Sequence, residues 1–185
     1  MSSVTFSDLF ENIHALCFFY RKIPPCVTVF GSARSQPNTA FYQLGEQLGS
    51  ALAKRGMHVM TGGGPGLMEA TNKGCKEAGG TSLGCNITLQ HEQIPNPYLL
   101  KTFVCRYFFI RKLALTRYSY AFIALPGGYG TLDELFEMLN LIITNRISSF
   151  PIVLLGKSFW NPLYDFIVTN LVIINTNFTS SRFKR

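Results

Sequence analysis

The sequence predicts a Rossmann-like α/β fold, a doubly wound parallel sheet with helices on both faces, in a single domain. Three observations carry that expectation. From Cys26 onward, short apolar runs rich in β-branched and aromatic residues alternate with longer segments of helical period. Two glycine-rich turns, "TGGGPGLMEA" and "LPGGYGTLDE", each follow such a run and open a helical segment. The chain has 185 residues, 47% of them hydrophobic, enough for one substantial core and too short to argue for two.

Residues 1–25 read as an N-terminal helical segment packed on the domain. Asp8 and Glu11 precede the apolar patch from Ala15 to Tyr20, no basic region opens it, and Arg21, Lys22 and the Pro24-Pro25 pair follow, so a secretory signal is not expected here. The domain itself spans residues 26–170. Its strands are expected at "CVTVF", "HVMT", "TSLGCNI", "AFIAL" and "PIVLL". Between the first two, Phe41, Leu44, Leu48, Ala51 and Leu52 mark one face of a helix ending at Gly56. A second helix runs from Pro65, suited to a first helical position, to Ala78 before Gly79-Gly80. The region from His91 to Lys101, with Pro95 and Pro97, reads as a loop; the stretch from Phe103 to Tyr118 reads as a helix; another helix starts near Thr131. Residues 171–185 form a divergent tail. No internal repeat or linker interrupts the pattern.

Several function classes are disfavoured. Charges at Arg117, Asp133, Arg146, Lys157 and Asp165 break up every apolar stretch, so no membrane span is expected and a cytoplasmic location is. The five cysteines (Cys17, Cys26, Cys75, Cys85, Cys105) lack CxxC spacing and read as buried reduced thiols. "HEQIP" stops short of HExxH because Pro95 takes the second histidine's place, so no metal is expected. The net charge of +7 fits an anionic partner. Arg106, Arg111, Lys112 and Arg117 would nonetheless scatter around any helix that carries them, which argues against nucleic acid. Neither glycine turn completes GxGxxG, "PIVLLGKS" has Pro151 where a P-loop needs its first glycine, and "GTSLG" leads into more strand-like sequence, leaving Ser82 an ordinary strand residue. No dinucleotide or other cofactor is expected.

What remains is a phosphate held at helix N-termini. The turn Gly127, Gly128, Tyr129, Gly130 and Thr131 offers backbone N–H groups and a helix dipole. Gly63 and Gly64 wall the same pocket or merely permit a tight turn, and Ser32 and Arg34, at the end of the first strand, are placed to meet phosphate or sugar. Glu134 has two readings: a functional carboxylate, or the far end of a capping box that begins at Thr131. Asp133 suits a first helical turn whatever the ligand. Tyr20, Met68, Phe108 and Phe109 read as packing.

The run Pro126-Gly127-Gly128-Tyr129-Gly130-Thr131 followed by Glu134 is similar to the PGGxGTxxE motif of the Lonely guy (LOG) family, cytokinin riboside 5'-monophosphate phosphoribohydrolases. The resemblance extends over roughly Val27 to Val168 through "VFGSARS", "TGGGPGLMEATNKG", "HEQIPNPY" and "FFIRK", looks closest to the bacterial type II branch, and departs after Val168. It implies hydrolysis of the N-glycosidic bond of a cytokinin riboside 5'-monophosphate or AMP, giving free base and ribose 5-phosphate without a cofactor. Arg111 and Glu134 match the family's catalytic pair, Lys112 the neighbour of that arginine and with it a phosphate contact, and Glu92 a substrate contact; Asn140 stands where plant members place a ligand-contacting threonine. The partner implied is a nucleoside 5'-monophosphate, and the assembly a homodimer or larger. Members are often labelled lysine decarboxylases, but nothing here suggests a pyridoxal phosphate site. A nucleotide-binding module without turnover is the competing expectation.

Overall fold

The computed structural model describes residues 6–21, 23–88 and 94–172. Six parallel strands form one sheet in the order β4-β3-β2-β1-β5-β6: β1 Cys26–Phe30, β2 His58–Thr61, β3 Ser82–Ile87, β4 Lys101–Cys105, β5 Ser119–Ala124 and β6 Ile152–Leu154. The helices are α1 Phe6–Tyr20, α2 Ala40–Lys54, α3 Leu67–Glu77, α4 Phe108–Arg117, α5 Tyr129–Ile143 and α6 Lys157–Phe166, the last running into a π-helical turn, Ile167–Val172. None of the described helices is long and apolar enough to cross a membrane.

Strand alternation sorts the core into two layers. Val27, Val29 and Val59 face α2 and α3, where Tyr42, Leu52, Leu67 and Ala70 meet them. Cys26, Phe30, Met60, Leu83 and Phe122 face the other way, against Leu16 of α1, Ile110 and Leu115 of α4 and Met138 of α5. Trp160 of α6 donates its indole N–H to the Ala124 carbonyl at 3.0 Å, pinning α6 beside the end of β5. The α/β class and parallel sheet expected from the sequence are those observed.

The stretch from Phe103 to Tyr118 is not one helix. Its first residues complete β4, with Cys85 paired to Phe103 and Ile87 to Cys105, and only Phe108–Arg117 is helical. An unpaired edge on β3 is satisfied by this strand, and that tertiary demand outweighs the local helical period. The loop expected up to Lys101 accordingly ends one residue earlier. Pro65 lies outside α3, which starts at Leu67 with Gly66 as its N-cap at φ 71°. Phe108 and Phe109 are exposed rather than packed, Met68 is buried, and Cys17 is the one exposed thiol of the five. Most of the C-terminal tail lies outside the described residues, as does Glu92.

Candidate active site

The chain winds outward from β1 to β4 and then returns to place β5 on the other side of β1. A crevice opens beyond the carboxyl ends of the strands where winding reverses, here between β1 and β5. Three loops meet there and are tied by backbone. Ser32, after β1, donates its N–H to the Pro126 carbonyl at 3.0 Å and accepts from Leu67 N–H at 2.8 Å. One residue thus fastens both glycine-rich turns. Its hydroxyl accepts from the Arg34 N–H at 3.1 Å and shapes its own loop, while Arg34 is exposed.

The turn after β2 runs close to its surroundings. A Cβ on Gly62 would collide with Arg111 Nη2 and lie 2.7 Å from Met68 Sδ, and a Cβ on Gly66 would collide with the Ser32 carbonyl. Gly63 and Gly66 both hold positive φ, 73° and 71°. The turn after β5 is more open. Gly128 caps α5 without a side-chain bond, and no atom lies within 4 Å of where a Cβ on Gly128 or Gly130 would stand. Tyr129 and Gly130 fill the first two helical positions, whose N–H groups have no intrahelical partner. The Thr131 N–H is already given to the Gly128 carbonyl at 3.0 Å, so of the N–H donors expected at this turn it is the one taken internally. The Thr131 side chain is buried against Gly127, while the Tyr129 ring stands in solvent.

This start of α5 removes the capping-box reading of Glu134. With Gly128 as N-cap, Thr131 is the third helical residue, and Glu134, a turn further on, is only 4% exposed and turned to α4. Its Oε1 faces Arg111 Nη1 at 3.5 Å, and its Oε2, buried, has no hydrogen-bond partner. Burial pushes the Glu134 carboxyl up to about 7, against the pull of Arg111 and Lys112. Arg111 is held in turn: its Nε donates to the carbonyl of Cys85, within β3, at 3.0 Å. That bond fixes the guanidinium plane and leaves its far edge toward Glu134 and Gly62.

Lys112 serves a neighbouring arrangement. Its Nζ lies 2.8 Å from Asp133 and 2.8 Å from Glu137, bridging α4 to α5 beside the Arg111–Glu134 pair. Burial works against its charge, yet the two acids hold its pKa above the ordinary lysine value. Asn140 is exposed, six residues beyond Glu134, which on an α-helix is a rotation of roughly 240° and a rise of about 9 Å. The structure therefore gathers Arg111, Glu134, Gly62 to Gly64, Ser32 and the turn from Gly127 to Thr131 at one place, sets Lys112 and Asp133 at its edge, and leaves Asn140 apart.

Some residues at the site escaped the sequence reading. Glu137 shares Lys112; Asn72 and Asn96, both buried, support the turn after β2. Asn72 carried a signal, a polar side chain between Met68 and Cys75 on the buried face of α3.

A family model described as "Possible lysine decarboxylase" matches residues 68–182. A cytokinin riboside 5'-monophosphate phosphoribohydrolase of Rhodococcoides fascians is 34% identical over 155 residues, 80% of this chain and 76% of that protein. The Arabidopsis thaliana phosphoribohydrolase LOG5 is 35% identical over 61% of this chain, which spans 50% of that protein's length. Among solved structures, TM1055 superposes with a TM-score of 0.56 at 30% identity, covering 63% of this chain and 69% of its own. A molybdenum cofactor binding protein from Rippkaea orientalis gives a TM-score of 0.60 at 25% identity over 80% of this chain and 87% of its own.

Proposed function

This chain belongs to the Lonely guy (LOG) family, and from that premise we propose that it hydrolyses the N-glycosidic bond of cytokinin riboside 5'-monophosphates or of AMP. The observation that supports this most directly is the pairing of Arg111 with Glu134, whose other oxygen is buried without a hydrogen-bond partner, one turn beyond the unfilled N–H groups of the α5 N-terminus. The phosphate binds the Tyr129 and Gly130 N–H groups, aided by the helix dipole. Arg111 offers an N–H edge to the same anion or to the ribose, and Gly63 and Gly64 close the opposite wall.

Cleavage sends the bonding pair of the C1'–N9 bond to the base and leaves an oxocarbenium-like ribose. In this reading Glu134 stabilises that cation and accepts the proton of the attacking water. The water oxygen bonds to C1', the departing base takes up a proton from solvent, Glu134 returns its own to solvent, and adenine-type base and ribose 5-phosphate result. A carboxyl near 7 suits this role, since it is an effective base yet ionised in good part at neutral pH. Lys112 keeps Asp133 and Glu137 neutralised, so that Arg111 stays with Glu134. We also propose a homodimer in which the exposed Phe108, Phe109 and Leu113 of α4 are covered; sedimentation at micromolar concentration reads this.

Nucleotide binding without turnover is the second reading, and it has no use for the Arg111–Glu134 pair. Free base is assayed after incubation with isopentenyladenosine monophosphate and with AMP, for wild type and Glu134→Gln. The expected loss in the variant is about a hundredfold or more, with AMP affinity and Tm little changed. No base from wild type, or undiminished release from the variant, would reject the catalytic assignment.

A further inference from the structure

Behind the turn after β2 lies a chain of four buried polar side chains from four parts of the fold: Thr61 ending β2, Asn72 on α3, Ser82 opening β3, and Asn96 in the loop before β4. Asn72 is its centre. Its Oδ1 accepts from Thr61 Oγ1 at 2.6 Å and from Asn96 Nδ2 at 3.0 Å, while its Nδ2 donates to Ser82 Oγ at 2.8 Å and to the Leu83 carbonyl at 3.3 Å. That uses the full hydrogen-bonding capacity of one amide.

The outer members grip the turn itself. Thr61 Oγ1 accepts from the Gly63 N–H at 2.9 Å. Asn96 donates its main-chain N–H to the Gly63 carbonyl at 2.9 Å and its Nδ2 to the Gly64 carbonyl at 3.0 Å, and its Oδ1 accepts from Tyr98 N–H at 3.2 Å. Stability alone gives little reason for this arrangement, because a satisfied polar pair nets only about 1 kcal/mol and apolar side chains of similar shape do as well. A saturated network does fix orientation, however.

We infer that Asn96 and Thr61, oriented by Asn72, are positioning residues that set the peptide planes of Gly63 and Gly64 for an anionic ligand. In a trans peptide the carbonyl and the next N–H point in opposite directions. With the Gly63 carbonyl held by the Asn96 main-chain N–H, and Asn96 itself anchored by its side-chain bonds to Asn72 and to the Gly64 carbonyl, the Gly64 N–H is directed away from Asn96, toward the crevice side of the turn. The turn is thereby a second N–H donor facing the one at α5, with its orientation fixed before a ligand arrives. The inference rests on the nucleoside monophosphate reading for the identity of the anion.

Calorimetry with AMP on the full chain tests it, in a Glu134→Gln background so that ligand is not consumed. Asn96→Ala should weaken AMP by about tenfold or more, the scale of one lost charge-assisted hydrogen bond. Ser82→Ala removes the network partner farthest from the turn and should lower Tm while leaving AMP affinity within about twofold. Thr61→Val should follow Asn96→Ala, and Thr61→Ser, which keeps the hydroxyl, should restore binding. Undiminished AMP affinity in Asn96→Ala, or an equal loss in Ser82→Ala, would overturn the positioning role even if base release is intact. Conversely, a wild-type chain that binds AMP but never releases base loses the catalytic reading only, and the affinity series still decides this one.

Discussion

The two glycine-rich turns sit at the ends of β2 and β5, on either side of β1, and are joined through Ser32, yet they are built in opposite ways. The turn after β2 is enclosed: Gly62 to Gly64 are buried, the Thr61 and Asn96 side chains hold the Gly63 N–H and the Gly64 carbonyl, and the Asn96 main-chain N–H holds the Gly63 carbonyl. In contrast, the turn after β5 is exposed from Gly128 to Gly130 and is held by backbone, through Pro126 and Gly128 carbonyls. Glycine serves different ends in the two. In the first it makes room for protein, above all Arg111; in the second the space beside it is empty of protein, which is what a ligand needs.

Gly62→Ala breaks the comparison most severely. The added methyl would meet Arg111 Nη2 and Met68 Sδ, both ends of flexible side chains, and Gly62 is not among the positive-φ glycines. The fold can therefore absorb the change, but Arg111 cannot keep its place against Glu134. Base release should fall by about a hundredfold, the scale of one lost transition-state contact, while Tm drops by only a few degrees, roughly 2–4 °C per kcal/mol. Collapse of the fold, or wild-type turnover, would show that Gly62 is not the gap through which Arg111 works.

The second effect comes from Glu134. Its folded value of about 7 lies above the ordinary 4.5, so the folded chain holds this proton more tightly than the unfolded one. The resulting stability is fully present below about 4.5 and is lost as pH rises through about 7. Arg111, Lys112, Asp133 and Glu137 all face this carboxyl and enter its balance. Two measurements check it. Turnover should fall about tenfold from pH 8 to pH 6 as the carboxylate is protonated. Over the same kind of range the Tm of Glu134→Gln should fall less with rising pH than that of wild type; parallel Tm curves would place the titration elsewhere.

The enclosed turn was also the less legible in the sequence. Strand runs, helix faces and both glycine turns showed in the periodicity of apolar residues and in glycine placement, because those signals are local. Likewise the Arg111–Glu134 pair followed from motif, though only the helix start at Tyr129 removed the capping alternative. The strand β4 was missed since Phe103 and Cys105 also fit a helical period, and pairing with β3 is a long-range fact. Asn72 and Asn96 were missed for the same reason: their partners lie on other elements, so nothing in neighbouring residues announces a network. Lys112 read as an anion contact because its two acids lie on α5, some twenty residues along the chain.

Gly130→Ala gives the smallest and most discriminating change. Gly130 is the second residue of α5, has ordinary helical placement, and a Cβ there meets no protein atom within 4 Å. Alanine in a helix is favoured over glycine by about 0.5–1 kcal/mol, so Tm should rise by about 2–4 °C at most. The methyl would nevertheless stand beside the N–H proposed to hold phosphate, and AMP affinity should weaken by roughly fivefold. Stability and binding then move in opposite directions, which no account of this glycine as a purely structural residue gives. Higher Tm with unchanged AMP affinity would mean that the open turn does not touch the ligand, and would shift the phosphate toward the enclosed turn and its Gly64 N–H.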